Sequence, residues 1–192
     1  MIWNKATAHN FYDANVQTAC MNMIALAARN GGRVALSSLA EFRRGILRDA
    51  ADIDLVKTAH LARYKPNAYG AGDWQFPGSS NFTVEEYAQA VQNGTAEETE
   101  RQKIFALIDS FTQRGLTNNI VLTTVFDIAL DVRLIVDGFH RATALVILRN
   151  AASTHLEALF GSQHSIELIE LQSKWAHMLY PCDFLHFCAT AP

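Results

Sequence analysis

Asp137-Gly138-Phe139-His140-Arg141 is the one short run in this chain whose residue types and spacing suit chemistry. An apolar stretch ending in Asp137 reads as a buried strand. After it, Leu145 and Leu148 at helical spacing, with the small Ala142 and Ala144 between, read as a helix. Gly138 supplies the residue that tolerates positive φ in the turn. The first amides of that helix, at Phe139, His140 and Arg141, lack carbonyl partners and lie at the positive end of its dipole. An anion such as phosphate fits there. Arg141 adds a fixed charge whose fork matches phosphate oxygens. His140 can move a proton near neutral pH, and Asp137 either orients His140 or holds a metal-bound water. The same residues admit a plain reading too, with Asp137 as a helix cap and His140 and Arg141 as solvated first-turn residues.

Asp137 to Ala144 resembles the signature turn of the ParB/sulfiredoxin superfamily. The likeness extends upstream through Leu107 to Leu116 and then Ile120-Val121-Leu122, a helix ending in Gly-Leu followed by a strand, and covers about residues 100–171. The departures carry meaning. Phe139 stands where sulfiredoxins have their nucleophilic cysteine, so thiol chemistry is not implied. Chromosomal ParB proteins have Glu, Arg and Arg where this chain has Phe139, His140 and Thr143. Their second nucleotide motif has no counterpart downstream.

The resemblance implies an α+β chain with a ParB/sulfiredoxin-like fold, a small mixed sheet surrounded by helices. It implies a single domain over 1–192, with a mainly helical N-terminal part over 1–95 and the signature nucleotide-binding part over 96–192. It also implies ATP hydrolysis and metal-dependent cleavage of DNA. Asp137, His140 and Arg141 would be catalytic, and Gly138, Phe139, His140, Arg141 and Thr143 would hold the nucleotide. Asp137 would hold Mg²⁺ with a second carboxylate that the sequence does not place. Chain length and the long N-terminal part resemble a plasmid fertility-inhibition member of the superfamily. The implied partners are then ATP, DNA through a local contact, and a protein component of a conjugative or type IV secretion apparatus. The implied location is the bacterial cytoplasm, or the inner-membrane periphery through a partner. The competing expectation is a non-catalytic module whose pocket recognises a protein partner.

Stepping outward from the turn, the 192 residues are 49 % hydrophobic and 18 % charged, enough for a sizeable core. A formal net charge of −3 argues against broad electrostatic coating of nucleic acid. Three cysteines, Cys20, Cys182 and Cys188, form no paired framework and point to a reducing compartment. Ala19 to Ala28 is too short for a membrane span, carries Asn22, and lacks the basic flank of a secretory leader.

Helices are expected over 11–29, ended by Asn30-Gly31-Gly32, from Ser37 or Ser38 to about Arg48, and from about Asp52 to Tyr64. A short strand is expected at Val34-Ala35-Leu36. Arg43, Arg44, Arg48, Lys57, Arg63 and Lys65 make 43–65 the most basic part, which reads as a solvated helix face or a nucleic-acid contact. Residues 66–82 read as a loop, with Tyr69, Trp74 and Phe76 placed to stack on a base or to pin the loop. Thr83 and Glu86 form a capping box, and that helix ends at Asn93-Gly94. Glu97, Glu98 and Glu100 open the next helix where its dipole favours acids, and Gly115 ends it after Ile104, Phe105, Leu107, Ile108 and Phe111 are buried. Ile120 to Asp127 is an expected strand, His164 to Leu171 a half-exposed one, and a last helix is expected near Ser173. His177, Cys182, His186 and Cys188 are potential zinc ligands at a spacing that fits no compact finger.

Overall fold

The computed structural model describes residues 3–6, 42–61, 63–66, 72–75, 82–128 and 131–173. The protein is α+β. Strands β1 (Trp3–Ala6), β2 (Phe42–Leu47), β3 (His60–Leu61), β6 (Ile120–Asp127), β7 (Val132–Asp137) and β8 (Ile166–Ser173) form a mixed sheet in the order β1-β2-β8-β6-β7-β3. The β6–β8 and β3–β7 pairs are parallel and the others antiparallel. Strands β4 (Arg63–Pro66) and β5 (Gly72–Gln75) form a separate antiparallel pair. Helices α1 (Ala50–Lys57), α2 (Val84–Gln92), α3 (Glu98–Arg114), α4 (Phe139–Asn150) and α5 (Thr154–Phe160) complete the described elements.

Helix α4 is the centre of the helical layer. All seven residues from Ala142 to Leu148 are buried, so it has no solvent face over two turns. Helices α1, α2, α3 and α5 pack around it, and it also meets β6. Ile135, Leu122, Leu168, Ile166 and Leu47 supply the sheet's side of this core. Its C-terminal turn is pinned by side chains, with Arg149 Nε donating to the Ala50 carbonyl at 2.9 Å and Asn150 to Glu85 at 3.2 Å. The capping box of α2 forms as expected, Glu86 N to Thr83 Oγ1 at 3.2 Å and Thr83 N to Glu86 Oε2 at 2.8 Å. Gly115 ends α3 at φ +68°. Among the described residues no helix is long and apolar enough to cross a membrane.

Several expectations are corrected. The part expected to be mainly helical holds five strands and two helices among its described residues. Residues 42–47 are a strand rather than the end of a helix. Here Arg43 and Arg44 alternate across β2 and each finds a carboxylate of β8, Arg43 on Glu170 and Arg44 on Glu167, both at 2.6 Å. These arginines are therefore not a solvated helix face. Helix α1 stops at Lys57, because the backbone beyond it is taken by pairing: Val84 N donates to the Ala59 carbonyl, Leu61 N to the Phe82 carbonyl, and His60–Leu61 lie beside β7. The expected loop 66–82 contains β5, with Trp74 opposite Tyr64. Phe105 is exposed rather than buried. Ser173, where a last helix was expected to begin, ends β8, and Pro66 ends β4. The expected helix at 11–29, the strand at 34–36, Tyr69, Phe76, the residues after Ser173 with the His177, Cys182, His186 and Cys188 group, and the rest of loop 66–82 beyond Pro66, β5 and Phe82 lie outside the described residues.

Strand β8 is not half-exposed, for Ile166 to Glu170 are all buried. It lies inside the sheet between β2 and β6, and its two glutamates each meet an arginine of β2. Glu170 is fully buried, ion-paired with Arg43 and Arg133, and accepts from Thr124 Oγ1 at 3.3 Å. Removing one member of such a group leaves the rest as uncompensated buried charge. Glu170→Ala is expected to lower unfolding free energy by about 3–5 kcal/mol in chemical denaturation. A loss below about 1 kcal/mol, the level of an exposed pair, would contradict the buried network.

Candidate functional site

Strand β7 ends beside a register irregularity. Thr124 faces Ile135 and Thr123 faces Asp137, so one residue of β7 is extra between these pairs. Such a bulge bends a strand and re-aims the chain that leaves it. The chain then passes through Gly138 at φ +85°, ψ +17°, the left-handed region, directly into α4. A Cβ at this position would lie 2.9 Å from Leu122 Cδ2 and 3.1 Å from the Val121 carbonyl. Glycine is required twice over, by conformation and by space.

The first helical hydrogen bond of α4 runs from Ala142 N to the Gly138 carbonyl at 2.9 Å. The amides of Phe139, His140 and Arg141 precede it and have no carbonyl within the helix. No side chain caps this end. Asp137 does not act as a cap. Its carboxylate, about half exposed, turns to Arg141 instead, with Nη2 3.5 Å from Oδ2. Arg141 folds back over the turn, its Nη2 3.3 Å from the site a Gly138 Cβ would occupy. The guanidinium and the free amides thus sit at the same end of the helix, where the dipole is positive.

His140 stands on the other side of the turn. Its Nε2 lies 2.5 Å from Oε2 of Glu100, a residue of the first turn of α3. Glu100 is buried, and its other oxygen accepts from Lys103 Nζ at 2.8 Å. The imidazole also lies against the Phe139 ring, centroids 3.9 Å apart, and Phe139 in turn rests 6.3 Å from Tyr87. The Phe139 ring thus backs His140, while its backbone amide opens α4. Thr143 is fully buried and its hydroxyl donates to the Phe139 carbonyl at 2.8 Å. Expected to touch the nucleotide, it instead braces the turn from inside.

Sequence reading placed Asp137, Gly138, Phe139, His140 and Arg141 at one turn, and the fold does gather them. Glu100, expected from sequence only to complement the helix dipole, meets His140 as well. A signal was present. Glu100, Ile104 and Phe111 share one stripe of α3, and all three are buried. A carboxylate on an apolar stripe needs a partner.

Beside Arg141 a cavity of about 150 Å³ opens between the end of α3 and the loop before β6, lined among others by Ser110, Phe111, Leu116 and Asn118. It is smaller than the roughly 300–1,000 Å³ of ordinary ligand pockets. Among the described residues no three His, Cys, Asp or Glu side chains converge. Comparison with known proteins adds no relative, for no family model, curated protein or solved structure matches the chain. What the fold itself defines is an α+β protein in which the most buried of the described helices starts at a glycine turn carrying Asp137, His140 and Arg141.

Gly138→Ala tests the geometry of the turn. The left-handed backbone alone costs about 1–2 kcal/mol with a Cβ, and the contact with Val121 oxygen adds to it. A melting temperature lower by roughly 2–8 °C is expected, at 2–4 °C per kcal/mol for a chain of this size. An unchanged melting temperature would contradict the turn.

Proposed function

We propose that the protein is a ParB/sulfiredoxin-type nucleotide-binding enzyme that holds the phosphates of ATP at the turn Asp137–Arg141 and hydrolyses the terminal one. The observation that carries this reading is the meeting of three uncapped helix amides with the folded-back Arg141 at Gly138, with His140 in the same first helical turn. The amides and Arg141 are suited to stabilise charge on the phosphoryl oxygens as the bond to the leaving group lengthens. In the proposed step His140 takes a proton from the attacking water. The water oxygen bonds to the γ-phosphorus, the bond to the β-phosphate oxygen breaks, and ADP and inorganic phosphate leave.

The residues present fit Mg²⁺ only as an ion that arrives with the nucleotide, because Asp137 stands at the turn and no cluster among the described residues encloses it. Mg²⁺ bound to the phosphates would neutralise part of their charge, with Asp137 as its protein ligand. The same site is proposed for any cleavage of DNA, where the scissile phosphodiester replaces the triphosphate. The likeness of the turn to the superfamily that includes the plasmid fertility-inhibition factor Osa suggests a role in blocking conjugative or type IV secretion transfer. Its partner would be a protein of that apparatus, in the cytoplasm or at the inner membrane.

A second reading is favoured by the small cavity. A pocket of about 150 Å³ leaves most of a nucleotide on open surface. A protein partner presenting one acidic or phosphate group to Arg141 would be held without any turnover, and inhibition would then need no catalysis.

Arg141→Ala is expected to weaken ATP binding by roughly 10- to 150-fold, the equivalent of a charge-assisted hydrogen bond at about 1.5–3 kcal/mol. Arg48→Ala, at an exposed position of the basic stretch, is expected to change it little. Titration calorimetry on both variants decides the point, and a larger loss in Arg48→Ala would move the site. Hydrolysis of ATP and cleavage of DNA are expected to vanish together in His140→Ala, and DNA cleavage to stop in EDTA. Loss of one activity with the other intact would break the single-site account.

A further inference from the structure

We propose that Glu100 is the positioning residue of His140, holding the imidazole as the tautomer with its proton on Nε2 and its lone pair on Nδ1. What Nδ1 then does rests on the hydrolytic reading above, while the tautomer rests on geometry alone. A carboxylate can only accept hydrogen bonds. Oε2 of Glu100 lies 2.5 Å from Nε2, so that nitrogen is the one that carries hydrogen. The neighbouring oxygen accepts from the Lys103 ammonium at 2.8 Å, so the carboxylate meets a donor at each of its two oxygens. The neutral ring then offers Nδ1 as its only proton acceptor. When Nδ1 takes a proton from water, the imidazolium lies against a buried carboxylate that stabilises the new charge.

The ring is also held in place. Phe139 covers one side at 3.9 Å between centroids, and Glu100 fixes the edge. Glu100 is 6 % exposed, whereas His140 is 28 % exposed, so the carboxylate is inside and the imidazole meets solvent. A plain tie between α3 and α4 would be served as well by an apolar residue, for Glu100 lies on the stripe of Ile104 and Phe111. A buried acid kept at that position and aimed at a partly open histidine is the arrangement that orients a base.

The experiment uses the full chain labelled with ¹⁵N and long-range imidazole spectra, with the His140 signals assigned by their loss in His140→Gln. The wild type is expected to show a proton on Nε2 that is protected from exchange with water. In Glu100→Leu, chosen because the stripe accepts an apolar residue, that protected proton is expected to disappear. Its kcat for ATP is expected to fall roughly 10–100-fold, with KM unchanged. Glu100→Gln keeps an acceptor and is expected to restore the protected proton. A wild-type ring protonated on Nδ1 overturns the proposal whatever the enzyme does. So does a folded Glu100→Leu with full kcat. If the wild type hydrolyses no ATP yet shows the protected Nε2 proton, the hydrolytic reading fails and the assignment of Glu100 stands.

Discussion

Between β7 and α4 the chain must reverse direction through a residue at φ +85° packed against Leu122 and the Val121 carbonyl. No side chain fits there, and the rest of the arrangement follows from that constraint. Helix α4 begins immediately, so its first amides point out beside the sheet rather than into a connecting loop. The helix cannot slide to relieve the turn, because Ala142 to Leu148 are buried and four helices close around it. At its far end Arg149 and Asn150 are bonded to α1 and α2. The positive end of a fixed helix is thus presented at one spot, with Arg141 and His140 on either side.

Two buried glutamates show how burial decides the role of a charge. Glu170 lies inside the sheet between Arg43 of β2 and Arg133 of β7, and Phe126 carries both guanidinium groups on its ring at 5.9 and 4.9 Å. Such a network is poor evidence of net stability, since desolvation offsets the attraction. It does tie β2 to β8 side by side, because Arg43 stands directly opposite Glu170 on the same face. Glu100 is buried to a similar degree, but its partner His140 reaches solvent at the turn. The first glutamate specifies the sheet; the second faces the candidate chemistry.

The strand, turn and helix from Leu134 to Leu148 were legible because local signals agree there: an apolar run, Asp-Gly, then helical spacing. The Thr83–Glu86 cap and the Gly115 stop were legible for the same reason. Phe42 to Leu47 was not, since Arg43 and Arg44 look solvated until their carboxylates on Glu170 and Glu167 are known, and these lie more than 120 residues away. The alternation in β8 misled by the same logic, because Glu167 and Glu170 read as exposed when they are paired inside the sheet. Thr143 was misassigned by its place in a motif, since its hydroxyl is spent on the Phe139 carbonyl. Local rules describe residues whose partners are near in sequence, and buried ion pairs across a sheet are settled only by the fold.

If phosphate binds at the free amides at the start of α4, amide chemical shifts read those groups one by one. In ¹⁵N-labelled full-length protein titrated with ATP and Mg²⁺, the account predicts saturating shifts that are largest for the amides of Phe139, His140 and Arg141. Shifts centred instead on residues 43–48 of β2, or no saturable change at the start of α4, would contradict it.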